Sequence, residues 1–227
     1  MRSVLSALIA SLVVSGCAAT MARMYGTKRE TDKFNDNLTW VTMTGGVIDA
    51  NRLGIVANAA EFNPLVIRSR DNKILATGIL FTFENNVTLA RARSLSIREG
   101  STATFLLNNG AEKIELRAVK GDSDYSVTAA HNAIYTTYFD RGVFSITPDQ
   151  LKQIVNASAV EVRVSGATSY IDFPRKPNNH VVEDFLPSWK KFYEREVQPY
   201  LGQGLPADSG RRWHRTPVAP EAGRWAS

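Results

Sequence analysis

Residues that could carry chemistry are few in this chain. It has a single cysteine, Cys17, and three histidines that lie far apart: His131, His180 and His214. Helical zinc sites place two histidines four residues apart, and nucleophile-elbow hydrolases carry Gly-x-Ser-x-Gly; neither pattern occurs. Asp122-Ser123-Asp124 begins like a calcium loop but lacks the glycine and glutamate that must follow. The sequence therefore predicts no catalytic residue, no metal site and no cofactor, and we expect that the protein is not an enzyme.

Cys17 ends a segment with the layout of a secretory signal. Arg2 supplies a positive start, residues 4–14 are almost wholly apolar, and Ser15 and Gly16 are small. A membrane-spanning helix needs about 20 apolar residues, and this run is shorter. Because a lone cysteine cannot form an internal disulfide, an exported chain needs another use for this thiol.

The residues Val14-Ser15-Gly16-Cys17 resemble the lipobox of bacterial lipoproteins, in which an aliphatic residue and two small residues precede the cysteine. The resemblance covers only residues 1–17. It implies cleavage after Gly16, diacylglycerol on the Cys17 thiol and usually a further acyl chain on the new amino terminus. Two signals of this kind suit stable anchoring, since one chain binds a bilayer only marginally. Position 18 is Ala and not Asp. In Gram-negative members of the family this usually goes with export to the outer membrane, where the protein faces the periplasm.

Two polar segments flank the part that should fold. Residues 17–37 are polar and poorly periodic, which predicts a tether between lipid and domain. Residues 202–227 are rich in glycine and proline with few aliphatic residues, which predicts a disordered tail. The formal net charge of +5 is spread along the chain in mixed pairs, so we expect no nucleic-acid binding. Residues 38–201 remain as a single globular domain.

Alternating apolar and polar residues dominate this domain. Val160, Val162 and Val164 alternate with polar neighbours, a pattern typical of half-buried antiparallel strands. We predict strands near 39–44, 64–70, 73–83, 86–92, 102–107, 112–119, 124–130, 133–139, 143–146, 159–165 and 168–173. Turns are predicted between them at Asp71-Asn72, Asn85-Asn86, Asn108-Asn109-Gly110, Gly121-Asp122 and Asp140-Arg141-Gly142.

Two helices follow late in the chain. Thr147, Pro148 and Gln150 form the pattern of a capping box, which predicts a short helix over 148–157. A longer helix is predicted over 185–201, where Pro187 is tolerable in the first turn. The fold class is therefore α+β: a mainly antiparallel sheet of about ten strands with the C-terminal helix packed on it.

Two sets of residues could form a ligand or partner face. Trp189, Phe192 and Tyr193 share a wide aromatic face of the C-terminal helix, which packing on the sheet explains best; a groove for a partner is the alternative. Arg91 and Arg93 share a strand face beside apolar residues, where they could hold an anion or simply reach solvent.

These observations favour a non-enzymatic, lipid-anchored envelope protein that binds or scaffolds another envelope component. The alternative is a carrier of an apolar or anionic small molecule, with a pocket between the sheet and the C-terminal helix. We expect the membrane, reached through the lipid, and an envelope protein as partners. The sequence does not indicate an oligomeric state.

The lipid assignment gives a direct test. The Cys17→Ser variant should no longer sediment with membranes as a processed lipoprotein, because the thiol that accepts the diacylglycerol is gone. Fractionation of cells and mass measurement of the mature amino terminus check this. An unmodified Cys17 thiol in protein recovered from cells would contradict it.

Overall fold

The computed structural model describes residues 26–32, 34, 37–53, 56–88, 94–130, 133–173 and 185–202. Its elements are β1 (Gly26–Asp32), β2 (Leu38–Thr44), β3 (Val47–Leu53), β4 (Val56–Arg68), β5 (Ile74–Thr88), β6 (Thr102–Leu107), β7 (Glu112–Ala130), β8 (Ala133–Ser145), α1 (Pro148–Val155), β9 (Val160–Ser165), β10 (Tyr170–Phe173) and α2 (Leu186–Phe192). A π-helical turn, Tyr193–Val197, and a 3₁₀ turn, Gln198–Tyr200, continue α2. The predicted α+β class, with about ten antiparallel strands, is confirmed.

The ten strands form one sheet. The pairing order is β1-β2-β4-β5-β8-β7-β6-β9-β10, and β3 pairs with β4 beside this path. The long strand β7 pairs with β6 up to Arg117 and with β8 from Ala118, with a register shift between Ala118 and Lys120. Since bulges bend strands, the two halves of the sheet fold toward each other at this point.

The main core lies between these halves. The Phe62 ring on β4 is 6.1 Å from that of Phe105 on β6 and 5.7 Å from that of Phe173 on β10. A smaller cluster lies on the opposite face of β2, β4 and β5: Trp40, Leu65, Ile67 and Ala76. Trp40 belongs to the smaller cluster and Val41 to the main core, because successive side chains of a strand point to opposite faces of the sheet.

Both predicted helices are confirmed, and local chemistry explains their bounds. The Gln150 N–H donates to Thr147 Oγ1 at 3.1 Å, and the Thr147 N–H donates to Gln150 Oε1 at 3.0 Å, which completes the capping box. In the longer helical segment Phe185, Trp189, Phe192, Tyr193 and Val197 are all buried. The C-terminal helix therefore lies on the sheet through its aromatic face. Within the described ranges, no helix has both the length and the apolar character needed to span a bilayer.

Three predicted turns are wrong. Asn85-Asn86, Gly121-Asp122 and Asp140-Arg141-Gly142 lie inside β5, β7 and β8, which run on as single long strands. At Gly121 a Cβ would lie 2.5 Å from the backbone nitrogen of Arg98. The glycine thus marks a close backbone approach inside a strand, not a turn. The turns at Asn72 and at Asn108–Gly110 are confirmed, since these residues adopt positive φ.

Strands also occur where none was expected. β1 lies within the predicted tether and pairs with β2 from Gly26↔Thr44 to Asp32↔Leu38. β3 and the first half of β4 form a further hairpin. β1 is mostly exposed and polar, and it carries little of the apolar alternation by which a strand is recognised. The predicted signal peptide, the lipidation site Cys17 and the tail over 203–227 lie outside the described residues.

The segment from Ser94 to Arg98 is fixed to the sheet by a buried carboxylate. Asp140, fully buried on β8, accepts the Leu95 N–H at 2.8 Å, the Ser96 N–H at 3.0 Å and the Ser94 hydroxyl at 2.8 Å. It also accepts the hydroxyl of Ser123 on β7. Because each carboxylate oxygen has donors, the charge is compensated by hydrogen bonds.

We predict that Asp140→Asn lowers the free energy of unfolding by about 3 kcal/mol. The amide N–H groups of the asparagine would face the donors that now bind the carboxylate, in a buried site. Asp124→Asn is the matched control: Asp124 is exposed, and its carboxylate accepts the N–H of the neighbouring Tyr125. It should change the free energy by less than about 0.5 kcal/mol. Urea unfolding measures both values, and equal values for the two variants would contradict the role given to Asp140.

Candidate functional site

The predicted aromatic face lies in the core. The side chain of Trp189 is fully buried, and Phe192 and Tyr193 are each 4 % exposed. Arg91 and Arg93 lie outside the described residues, so the structure does not place them beside this face. Of the predicted ligand or partner residues, the structure brings Trp189, Phe192 and Tyr193 together, and it covers them with the sheet.

Trp189 links the C-terminal helix to the point where the chain passes from β2 to β3. Its ring is 4.8 Å from that of Phe185 and 6.3 Å from that of Phe105, and its indole N–H donates to the Phe62 carbonyl at 3.1 Å. The Phe62 N–H donates to the Gly46 carbonyl at 2.9 Å, where the chain crosses from β2 to β3. A Cβ on Gly46 would lie 2.2 Å from the Phe62 carbonyl oxygen, so only glycine fits this crossing.

Tyr193 is a further buried aromatic residue of the C-terminal helical segment. Burial raises the pKa of its phenol above the ordinary value, and the carboxylate of Asp149 adds to the rise. A phenol with a raised pKa stays neutral at physiological pH. Tyr193 therefore acts here as an aromatic core residue and carries no charge that would attract a cationic ligand.

A cluster of charges ties the C-terminal helix to β1 and β4. Glu196 is 1 % exposed; one of its oxygens accepts from Arg29 Nη2 at 2.6 Å, and the other accepts from the buried Arg68. The Arg68 guanidinium lies 3.9 Å from the centre of the Tyr200 ring, a cation–π contact. The Arg68 Nε is buried and has no hydrogen-bond partner among the described residues. Glu196 thus joins three elements that are distant in sequence.

A surface groove of about 210 Å³ opens beside this cluster, between the sheet and the C-terminal helix. It is lined by Gly26, Thr27, Met43, Ser188, Lys191, Phe192, Arg195 and Glu196. Lys191 and Arg195 stand one helical turn apart and are exposed, and neither has an ion-pair partner among the described residues. Ligand pockets for small molecules are usually larger, about 300 to 1,000 Å³, and enclosed.

The second candidate surface is the part of β7 that follows its pairing with β6. All six side chains from Asp122 to Val127 are exposed, although they stand in a strand paired with β8. The other edge of β7 pairs with β6 only up to Arg117, and Ile97 reaches it at Ser123 through an N–H bond to the hydroxyl. Among the residues that the structure describes, no strand pairs with this edge beyond Ser123. We call residues 122–127 the open segment of β7.

The two faces of the open segment differ in chemistry, with Tyr125 and Val127 on one face and acidic side chains on the other. Tyr125 is 65 % exposed and Val127 58 % exposed, and the Tyr125 ring is 6.4 Å from that of Tyr138 on β8. Asp122 and Asp124 lie on the opposite face of the strand. Tyr170 on β10 is similarly exposed at 62 %, but the Arg163 guanidinium lies 4.5 Å from its ring centre. Tyr125 therefore differs from Tyr170 in having no cation over its ring among the described contacts.

Metal-ligating side chains do not converge in the part of the chain that the structure describes: no group of three or more His, Cys, Asp or Glu residues is placed to hold an ion. Sequence reasoning missed the open segment because it interpreted Gly121-Asp122 as a turn. Nor did the sequence predict the buried position of Glu196. The burial of Glu196 depends on Arg68, 128 residues away, and no local signal reveals it.

Comparison with known proteins adds no relative. No protein-family model, no curated protein and no solved structure matches this chain.

We predict that Glu196→Gln lowers the free energy of unfolding by about 3 to 5 kcal/mol, because it removes the charge that compensates the buried Arg68. The control is Glu194→Gln, two residues away on the same helical segment and exposed. This control should stay within about 0.5 kcal/mol of the wild type. Urea unfolding monitored by circular dichroism measures both; a neutral effect of Glu196→Gln would show that the cluster does not hold the helix.

Proposed function

We propose that the protein is a non-enzymatic, lipid-anchored module of the cell envelope that binds another envelope protein through the open segment of β7. The observation that carries this proposal is the exposure of six consecutive side chains beside a strand edge with which no strand of the described ranges pairs. The anchor rests on the lipobox resemblance of Val14-Ser15-Gly16-Cys17 and places the domain at the outer membrane.

The chemistry of the open segment favours an extended polypeptide as the partner. An unpaired strand edge offers backbone N–H and C=O groups that an added strand can satisfy. Tyr125 and Val127 offer apolar contact on one face, and Asp122 and Asp124 offer negative charge on the other. A partner strand with basic side chains on the matching face fits this surface best.

The alternative function, a small-molecule carrier, is less well supported. Its pocket was expected between the sheet and the helix around Trp189 and Phe192, where the side chains are packed against each other. The groove beside Phe192 is open and small for a carrier site. A carrier also gives no role to the exposed surface of β7.

Photocrosslinking in intact cells tests the proposal. A photoreactive phenylalanine analogue replaces Tyr125 on β7 in one variant and Tyr170 on the terminal strand β10 in the other; both tyrosines are exposed. We expect a single defined adduct with another envelope protein from position 125 and none from position 170. Charge reversal by Asp122→Lys with Asp124→Lys should reduce the adduct at least five-fold, because it removes the acidic face.

The matched charge control is Glu99→Lys with Glu161→Lys, since both residues are exposed and lie outside the open segment. This control should leave the adduct at the wild-type level. Equal adducts from positions 125 and 170, an adduct made only of two copies of this chain, or an adduct unaffected by either charge reversal would refute the proposed binding surface.

A further inference from the structure

The groove between β1 and the C-terminal helix has an excess of positive charge. Four cations stand at or next to it, Arg29, Arg68, Lys191 and Arg195, against the single buried carboxylate of Glu196. Arg29 and Arg68 are engaged with that carboxylate, which leaves Lys191 and Arg195 with their charges directed to solvent among the described residues. An ordinary surface helix would place carboxylates near such a pair.

The groove also lies where the folded domain meets its anchored end. Gly26, the first residue of β1, and Thr27 line it. Nine residues, 17–25, separate this position from the acylated end that the lipobox implies, and a chain of this length spans at most about 30 Å. A tether of this length keeps Gly26 within about 30 Å of the acylated end.

The geometry points to the groove as a docking surface for anionic phospholipid headgroups, with Lys191 and Arg195 contacting the lipid phosphates. This inference rests on the proposed lipid anchor, and it adds an orientation: the groove faces the bilayer. Each Lys or Arg held at an anionic surface strengthens binding about five-fold, and the effect decays within a Debye length of about 8 Å at physiological salt. Two cations without partners at the anchored end are thus enough to select one orientation of a tethered domain.

The shape of the groove fits a headgroup better than an acyl chain. It is partly open, and it is lined by Met43 and Phe192, which are already buried in the core. Ser188 lines it together with Lys191. Docking therefore requires no rearrangement of the core.

The orientation can be measured on the full-length, lipidated protein in vesicles. The proposed anchor has Cys17 acylated, and the chain has no other cysteine, so Ser188→Cys introduces one free thiol for a fluorescent label at the groove. Ser126→Cys places the same label on the open segment of β7. The vesicles contain phosphatidylcholine alone, or phosphatidylcholine with phosphatidylglycerol at a ratio of three to one, and both carry a headgroup nitroxide quencher.

We expect at least three-fold stronger quenching of the Ser188 label in the anionic vesicles than in the neutral ones, and no such difference for the Ser126 label. Lys191→Gln with Arg195→Gln should abolish this difference. The charge-matched control, Lys190→Gln with Arg98→Gln, should retain it, because both residues are exposed and neither lines the groove.

Quenching at Ser188 that is the same in both vesicle types, or that survives loss of Lys191 and Arg195, would overturn the inference. So would loss of the lipid-dependent difference in dilute inorganic phosphate at constant ionic strength, since this would identify a site for free anions. Flotation of the vesicles separates this failure from failure of the anchor. Protein that floats without quenching at Ser188 refutes only the orientation, whereas protein that does not float refutes the lipid anchor and the orientation together.

Discussion

The burial of Trp189 against the inner face of the sheet is the contact on which the rest of the structure depends. Its indole N–H satisfies the Phe62 carbonyl at the point where β2 crosses to β3, and its ring fills the space beside Phe105. A buried carbonyl left without a donor costs about 1 to 3 kcal/mol, so the helix and the crossing stabilise each other. Glu196 then fixes the same helical segment to β1 and β4 through Arg29 and Arg68. The C-terminal segment therefore holds the first strand of the sheet in place.

This arrangement divides the surface into two regions with different chemistry. The groove beside Gly26 is cationic, whereas the open segment of β7 is acidic and aromatic, and no strand of the described residues pairs with its second edge. The core is packed with aromatic side chains that contact one another, such as Phe62 with Phe81 at 4.8 Å. In the proposed function the cationic groove faces the membrane and the open segment of β7 binds the partner.

Local signals in the sequence predicted the fold class and several elements, but they could not predict the surfaces. The capping box at Thr147 and the alternation over 102–107 depend on near neighbours, and both elements occur as predicted. Gly121 is predicted to lie in a turn because glycine is common in turns. Its actual role is to allow the close approach of the backbone at Ile97 and Arg98, which are distant in sequence. β1 is predicted as part of a tether because its mostly exposed, polar residues show little apolar alternation, and its pairing with β2 leaves no local signal in the sequence. The aromatic face of Trp189 could be read from helical spacing, but its acceptor is 127 residues away.

Amide hydrogen exchange tests most directly whether the open segment of β7 is occupied in its natural setting. The exchange rates of residues 122–127 are compared between the purified protein in detergent and the protein in isolated envelopes, with the terminal strand β10 as the reference. If a partner strand pairs with this edge, amides of residues 122–127 should exchange at least ten-fold more slowly in envelopes, while those of Tyr170–Phe173 keep their rates. Equal rates for residues 122–127 in both preparations would contradict the claim that this edge binds a partner.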